Sequence, residues 1–118
     1  MVLILIGLGG ALGSITRYSV GKYISNKSKI TLPIGTIIIN ITGAFLLGIV
    51  SNSGIDGNIY LLITEGFLGA FTTFSTFMYE GFVLIQENEK LNIVIYIIGT
   101  ILLGLIGFTL GYYFMWLI

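Results

Sequence analysis

The 118-residue chain contains no cysteine, no histidine and a single proline, and only 8% of its residues are charged. An ordinary soluble domain carries about 25% charged residues. Without cysteine there is no disulfide framework and no thiolate site. Without histidine the commonest metal ligand and general base is missing. Five acids balance five bases, and a net charge of zero argues against nucleic acid as a partner. No nucleophile–base pair, metal-ligand cluster or phosphate-cradling loop is written in the sequence, so nothing in it points to an enzyme.

What the chain has in abundance is apolar surface. It is 56% hydrophobic with a mean hydropathy of +1.06, more than a soluble fold of this length could hide from water. Lipid is therefore its solvent. The N-terminal MVLILIGLGGALGSI lacks the basic region and small-residue cleavage site of a signal peptide. It reads as the start of a first membrane helix, kept in the mature protein.

A spanning helix needs about 20 mostly apolar residues, and four stretches qualify: 2–24, 32–51, 59–86 and 91–117. The expected fold is an all-α membrane protein, one four-helix transmembrane domain over residues 1–118. Pro33 falls in the first turn of the second helix, where its missing N–H is harmless. Glu65 lies near the start of the third, favourably placed on the helix dipole. The fourth ends in GYYFMWL, an aromatic cluster suited to the headgroup level. Lys22, Lys27, Lys29 and Lys90 fall on one side of such a bundle and no base falls opposite. The positive-inside rule makes that side cytoplasmic and turns both termini outward. Gly9 and Gly13, and Gly107 and Gly111, have the GxxxG spacing of closely packed membrane helices. Four helices bury little internal volume, so an oligomer is expected.

Polar groups inside these helices are the candidates for function. In GTIIINITGAF, helical spacing sets Thr36, Asn40 and Gly43 on one face. An amide in hydrocarbon must find a partner or line a wet cavity, so Asn40 is either an interhelical hydrogen bond or a pore-lining donor. In GAFTTFSTF (69–77), hydroxyls and glycines interrupt the apolar run. Serine and threonine bond back to their own helix and bend it, and a break near mid-membrane is expected. Its freed carbonyls need a donor or a cation. Phe74 and Phe77 are three apart, packed in the core or turned to a pore with their positive ring edges. Arg17 snorkels from a helix end or faces a cavity. Glu80 sits at a vestibule or pairs with a base. Tyr96 and Thr100, four apart, share a face. An uncharged path of amide, hydroxyl and aromatic groups suits a small anion.

The segments GGALGSITRY (9–18), GTIIINITGAFLLG (35–48) and GFLGAFTTFSTF (66–77), in this order on three successive helices, together resemble the Fluc-type fluoride channels of the CrcB-like family. The resemblance implies four-helix subunits paired as an antiparallel, inverted dimer with two pores. It maps pore positions to Asn40, Phe74 and Phe77, with Thr36 and Thr73 as hydroxyl donors. It implies a structural sodium ion (Na+) at the dimer centre, held by the backbone carbonyls of Gly69 and Thr72. Arg17 matches the family's basic residue near the end of the first helix, and Glu80 its third-helix glutamate. A fourth-helix polar track starts at Tyr96 and continues to Thr100, and Gly104 stands where relatives often place a hydroxyl. The implied role is passive export of cytoplasmic fluoride, with fluoride and lipid as partners in the cell membrane.

Two other readings remain. An inverted homodimer needs a chain that inserts both ways, yet the lysines favour one side. One half of an obligate heterodimer, completed by an inverted paralogue, is the alternative. A small multidrug-type exporter resembles the chain in size but needs an acid in its first helix, and residues 1–16 carry no charge.

Overall fold

A computed structural model describes residues 1–28, 30 and 32–117, and Lys29, one of the four lysines used above for topology, lies outside them. Among the described residues the chain is all-helical, with four spans long and apolar enough to cross a membrane: Val2–Lys27, Ile34–Ser51, Gly57–Gln86 and Lys90–Leu117. The first and second are single helices, α1 (Val2–Lys27) and α2 (Ile34–Ser51). Helix α1 continues past position 24 because nothing in Ser25–Asn26–Lys27 breaks it, and the extended backbone of Ser28 (φ −87, ψ 139) ends it. Pro33 precedes α2 rather than sitting in its first turn. Its carbonyl accepts the Ile37 N–H at 3.3 Å, so the residue without a donor occupies the cap.

The third span is wound in pieces: α3 (Gly57–Leu61), a π-helical stretch (Leu62–Leu68), α4 (Gly69–Phe71) and α5 (Ser75–Gln86). Thr72, between α4 and α5, is extended at φ −78, ψ 159. Because the helix begins at Gly57, Glu65 lies about two turns into it and is exposed, not in its first turn. The fourth span is one helix, α6 (Lys90–Leu117).

Packing is made by small residues. A Cβ on Gly9 would come within 2.6 Å of the Leu62 carbonyl oxygen, and one on Gly66 within 2.8 Å of that of Ile6. Gly13 lies as close to the Phe67 carbonyl, and Gly48 and Gly111 close the contact between α2 and α6 against the carbonyls of Phe108 and Phe45. Lipid gives helices no hydrophobic reason to associate, so such close approach and its dispersion contacts hold the bundle. The GxxxG pairs thus pack inside the subunit, and the expected oligomer draws no support from them. The buried apolar centre is small, Ile39, Leu68 and Phe71 flanked by Val20, Leu46 and Phe67. Leucines such as Leu3, Leu12, Leu105 and Leu110 point outward, as suits a lipid solvent.

Candidate functional site

Asn40 reaches from the middle of α2 to the extended turn of the third span. Its Nδ2 donates to the Thr73 carbonyl at 3.0 Å and its Oδ1 accepts the Thr73 N–H at 2.9 Å. This is interhelical hydrogen bonding, and because an amide nitrogen carries two donors, one N–H remains. Asn40 is half-buried and lines a 340 Å³ cleft with Thr72, Thr73, Phe74, Phe77, Thr100 and Ile101.

The turn is held by side chains in place of helical bonds. In an unbroken helix the Thr73 N–H would bond the Gly69 carbonyl, and the Thr76 N–H that of Thr72. Here Thr73 N–H goes to Asn40 and Thr76 N–H to the Thr73 hydroxyl at 3.2 Å. Thr73 thereby caps the resumed helix as an N-cap hydroxyl does, and it also donates to the Thr76 hydroxyl at 3.1 Å. The carbonyls of Gly69 and Thr72 are left without their helical donors. Among the described residues no three His, Cys, Asp or Glu side chains gather into a metal cluster. These freed carbonyls are the ligands the turn offers a cation.

Phe74 and Phe77 stand at the mouth of the cleft with ring centroids 6.2 Å apart and planes 44° from parallel. Phe74 is 73% exposed, with Phe77 as its aromatic neighbour. Phe77 leans on Tyr96, centroids 5.0 Å apart. Tyr96 is fully buried, and its hydroxyl lies 3.5 Å from Glu80 Oε1. The Thr36 hydroxyl donates to the same carboxylate oxygen. Glu80 therefore finds hydroxyl donors where the sequence left open a vestibule position or a basic partner. One turn along α6, the Thr100 hydroxyl is buried with no hydrogen-bond partner, and Thr100 is among the residues that line the cleft.

A second cleft of 280 Å³ opens beyond the turn and is lined by Arg17, Lys22, Ser25, Thr36, Thr73, Thr76 and Glu80 among others. Thr73 is the lining residue the two clefts share, and Thr36 and Glu80 line the second of them. A wider 530 Å³ space is lined by Ser25, Ser28, Glu80 and Glu87 among others. The structure brings together Thr36, Asn40, Thr73, Phe74, Phe77, Glu80, Tyr96 and Thr100, and sets Arg17 in the second cleft. Sequence reasoning did not assign Thr76, Lys22 or Ser25 to this path. Thr76 was within reach of it, as one of the four hydroxyls in the quoted stretch. Lys22 was read only as a topology marker.

Residues 4–112 match the family described as "CrcB-like protein, Camphor Resistance (CrcB)". The chain is 57% identical over 107 residues to a protein of Clostridium acetobutylicum named fluoride-specific ion channel FluC 2, covering 91% of this chain and 92% of that one. It is 40% identical over 108 residues to the FluC 2 of Bacillus cereus, covering 92% of each. It is 41% identical over 115 residues to the FluC 1 of Carboxydothermus hydrogenoformans, covering 98% of this chain and 91% of that one.

Proposed function

The chain belongs to the CrcB-like protein family, and on that premise we propose that it is a fluoride-selective channel through which cytoplasmic fluoride leaves the cell passively, across the plasma membrane. Two inverted subunits form the conducting unit, with a pore along each side of their interface. The observation that supports this reading is a pair of polar clefts that share Thr73, one lined by Arg17 and Glu80 and the other by Asn40, Phe77 and Thr100. Together the two clefts carry hydroxyl and amide donors, and Phe74, which lines one of them, is exposed. Relatives named as fluoride-specific ion channels support the choice of ion.

Fluoride is small and strongly hydrated, so a pore must replace its water with hydrogen-bond donors. The unused Asn40 N–H and the unpartnered Thr100 O–H are two such donors, and the Thr73 and Thr36 hydroxyls adjoin them. The edges of Phe74 and Phe77 add a weaker positive contact and narrow the path. Chloride is larger and a weaker acceptor, and such a passage rejects it. Conduction requires several modest sites rather than one tight one. Glu80, occupied by Thr36 and close to Tyr96, is suited to exchanging these hydroxyls with a passing ion.

The interruption at Thr72 falls near the middle of a 30-residue span, which supports a break at mid-membrane depth. A sodium ion fits there. The Gly69 and Thr72 carbonyls have lost their helical donors, and two inverted subunits would contribute two each. When bound, the ion supplies a fixed positive charge at the dimer centre, raising the potential for an anion together with Arg17.

Fluoride efflux from liposomes holding the purified chain tests this reading, with Asn40→Asp and Phe77→Ile as companions. Fast fluoride loss that both substitutions abolish is the expected result. Equal loss in all three proteins would remove Asn40 and Phe77 from the path. A second reading is favoured by the charge bias: Lys22, Lys27 and Lys90 all lie at one end of the bundle. In that reading the chain is one half of a heterodimeric channel and conducts only with an inverted paralogue.

A further inference from the structure

Glu65 is a carboxylate without a partner. It sits exposed on the π-helical stretch, eight residues past the helix start at Gly57, which is about 12 Å along the axis. Ionisable groups at such depth are paired or face water or protein rather than lipid. Within the subunit nothing answers it. Side-chain hydrogen bonds to carboxylates go to Glu80 and Glu89, and no ion pair forms among the described residues. Every base among those residues lies toward the other end of the bundle: Arg17, Lys22 and Lys27 in the second half of α1, and Lys90 at the start of α6.

Arg17 has the complementary problem. It lies ten residues before the end of α1 at Lys27, about 15 Å in from that end. It borders the cleft of Thr73, Thr76 and Glu80, with no carboxylate oxygen within 4.0 Å of its guanidinium among the described residues. The approach of Gly9 to Leu62 and of Gly13 to Phe67 shows that α1 and the third span run side by side in the same direction. Arg17 is therefore level with the far side of the Thr72 turn, about two turns beyond Glu65. The two charges cannot meet within one subunit.

Inversion narrows the separation. A copy turned over about the Gly69–Thr72 turn carries its own Glu65 to the Arg17 side of that turn, about one helical turn beyond Arg17 in depth, a step that two long side chains can bridge. We propose that the face bearing Glu65, Gly69 and Phe74 receives a second, inverted copy of this chain, and that Arg17 forms an ion pair with Glu65 of the partner subunit, twice per dimer. This rests on the inverted pairing proposed above and adds the contact that fixes its register. A parallel pair would set like charges at the same depth, which opposite-charge pairing discriminates against. The pair also holds the Arg17 guanidinium beside the second cleft, where an anion would pass.

The absence of native cysteine makes the test clean. In the double variant Arg17→Cys/Glu65→Cys, a short thiol-to-thiol linker is expected to give a covalent dimer on a denaturing gel. Each single variant alone is expected to stay monomeric, and the two single variants co-expressed with different tags to give the mixed dimer. Independently, Arg17→Glu is expected to weaken dimerisation in detergent by about tenfold, and Glu65→Arg in the same chain to restore it. A wild type that is dimeric and conducts fluoride, combined with no mixed cross-link and no rescue by the charge swap, would overturn the pair while leaving the inverted channel standing. A monomeric chain, or subunits whose engineered thiols are labelled from one membrane side only, would overturn the inverted pairing and the ion pair with it.

Discussion

At the scale of single residues, Asn40 combines two tasks that one amide can hold at once. Its Oδ1 and one Nδ2 hydrogen fix the Thr73 backbone, and one N–H remains on a residue that lines the cleft. Asn40→Asp keeps the acceptor but removes both donors, leaves the Thr73 carbonyl opposite a carboxylate, and repels an anion. Fluoride efflux is expected to fall by about two orders of magnitude or more, with lower thermal stability in detergent. Thr100→Val should behave differently. Its hydroxyl has no partner to lose, so stability should hold or rise slightly while efflux drops, and a melting curve beside the flux assay checks both. Asn40 and the hydroxyl-rich stretch were legible because polar groups are costly in hydrocarbon and stand out there. The environment of Glu80 was not. Thr36 lies 44 residues away in sequence, and no local pattern announces which hydroxyl a carboxylate will accept.

At the scale of elements, the third span decides the site. The glycines and hydroxyls of GAFTTFSTF indicate weak helix, and they sit where the winding changes. The π-helical stretch just before them had no sequence signal, because one extra residue in a turn leaves the apolar pattern almost unchanged. The spacing of Gly9, Gly13, Gly107 and Gly111 was legible as close packing, but their partners were not. They meet carbonyls of the same subunit, since neighbouring helices of one short bundle are the nearest surfaces available. Gly13→Leu and Gly111→Leu should therefore break the subunit itself, by about 3 kcal/mol or more. The check is thermal unfolding of the detergent-solubilised protein. Gly104 is the contrast, with no atom within 4 Å of an added Cβ. Gly104→Ser should be neutral to within about 0.5 kcal/mol, and it tests whether a third hydroxyl on α6 raises flux.

At the scale of the whole molecule, four spans were countable from hydropathy because each loop is short and polar. How the subunit meets another was not countable. Under the inverted pairing proposed above, the exposed Phe74, the outward Glu65 and the carbonyls of Gly69 and Thr72 belong to the subunit interface. If two inverted copies close it around sodium, purification with sodium replaced by a bulky organic cation should lower the melting temperature of the dimer. Restoring sodium should recover it, and a melting temperature indifferent to the cation would remove the ion from the interface. The most direct measurement compares fluoride and chloride loss from liposomes that contain this purified chain and no other protein. Fluoride should drain while chloride stays. Chloride leaving as fast as fluoride would contradict a selective fluoride pore.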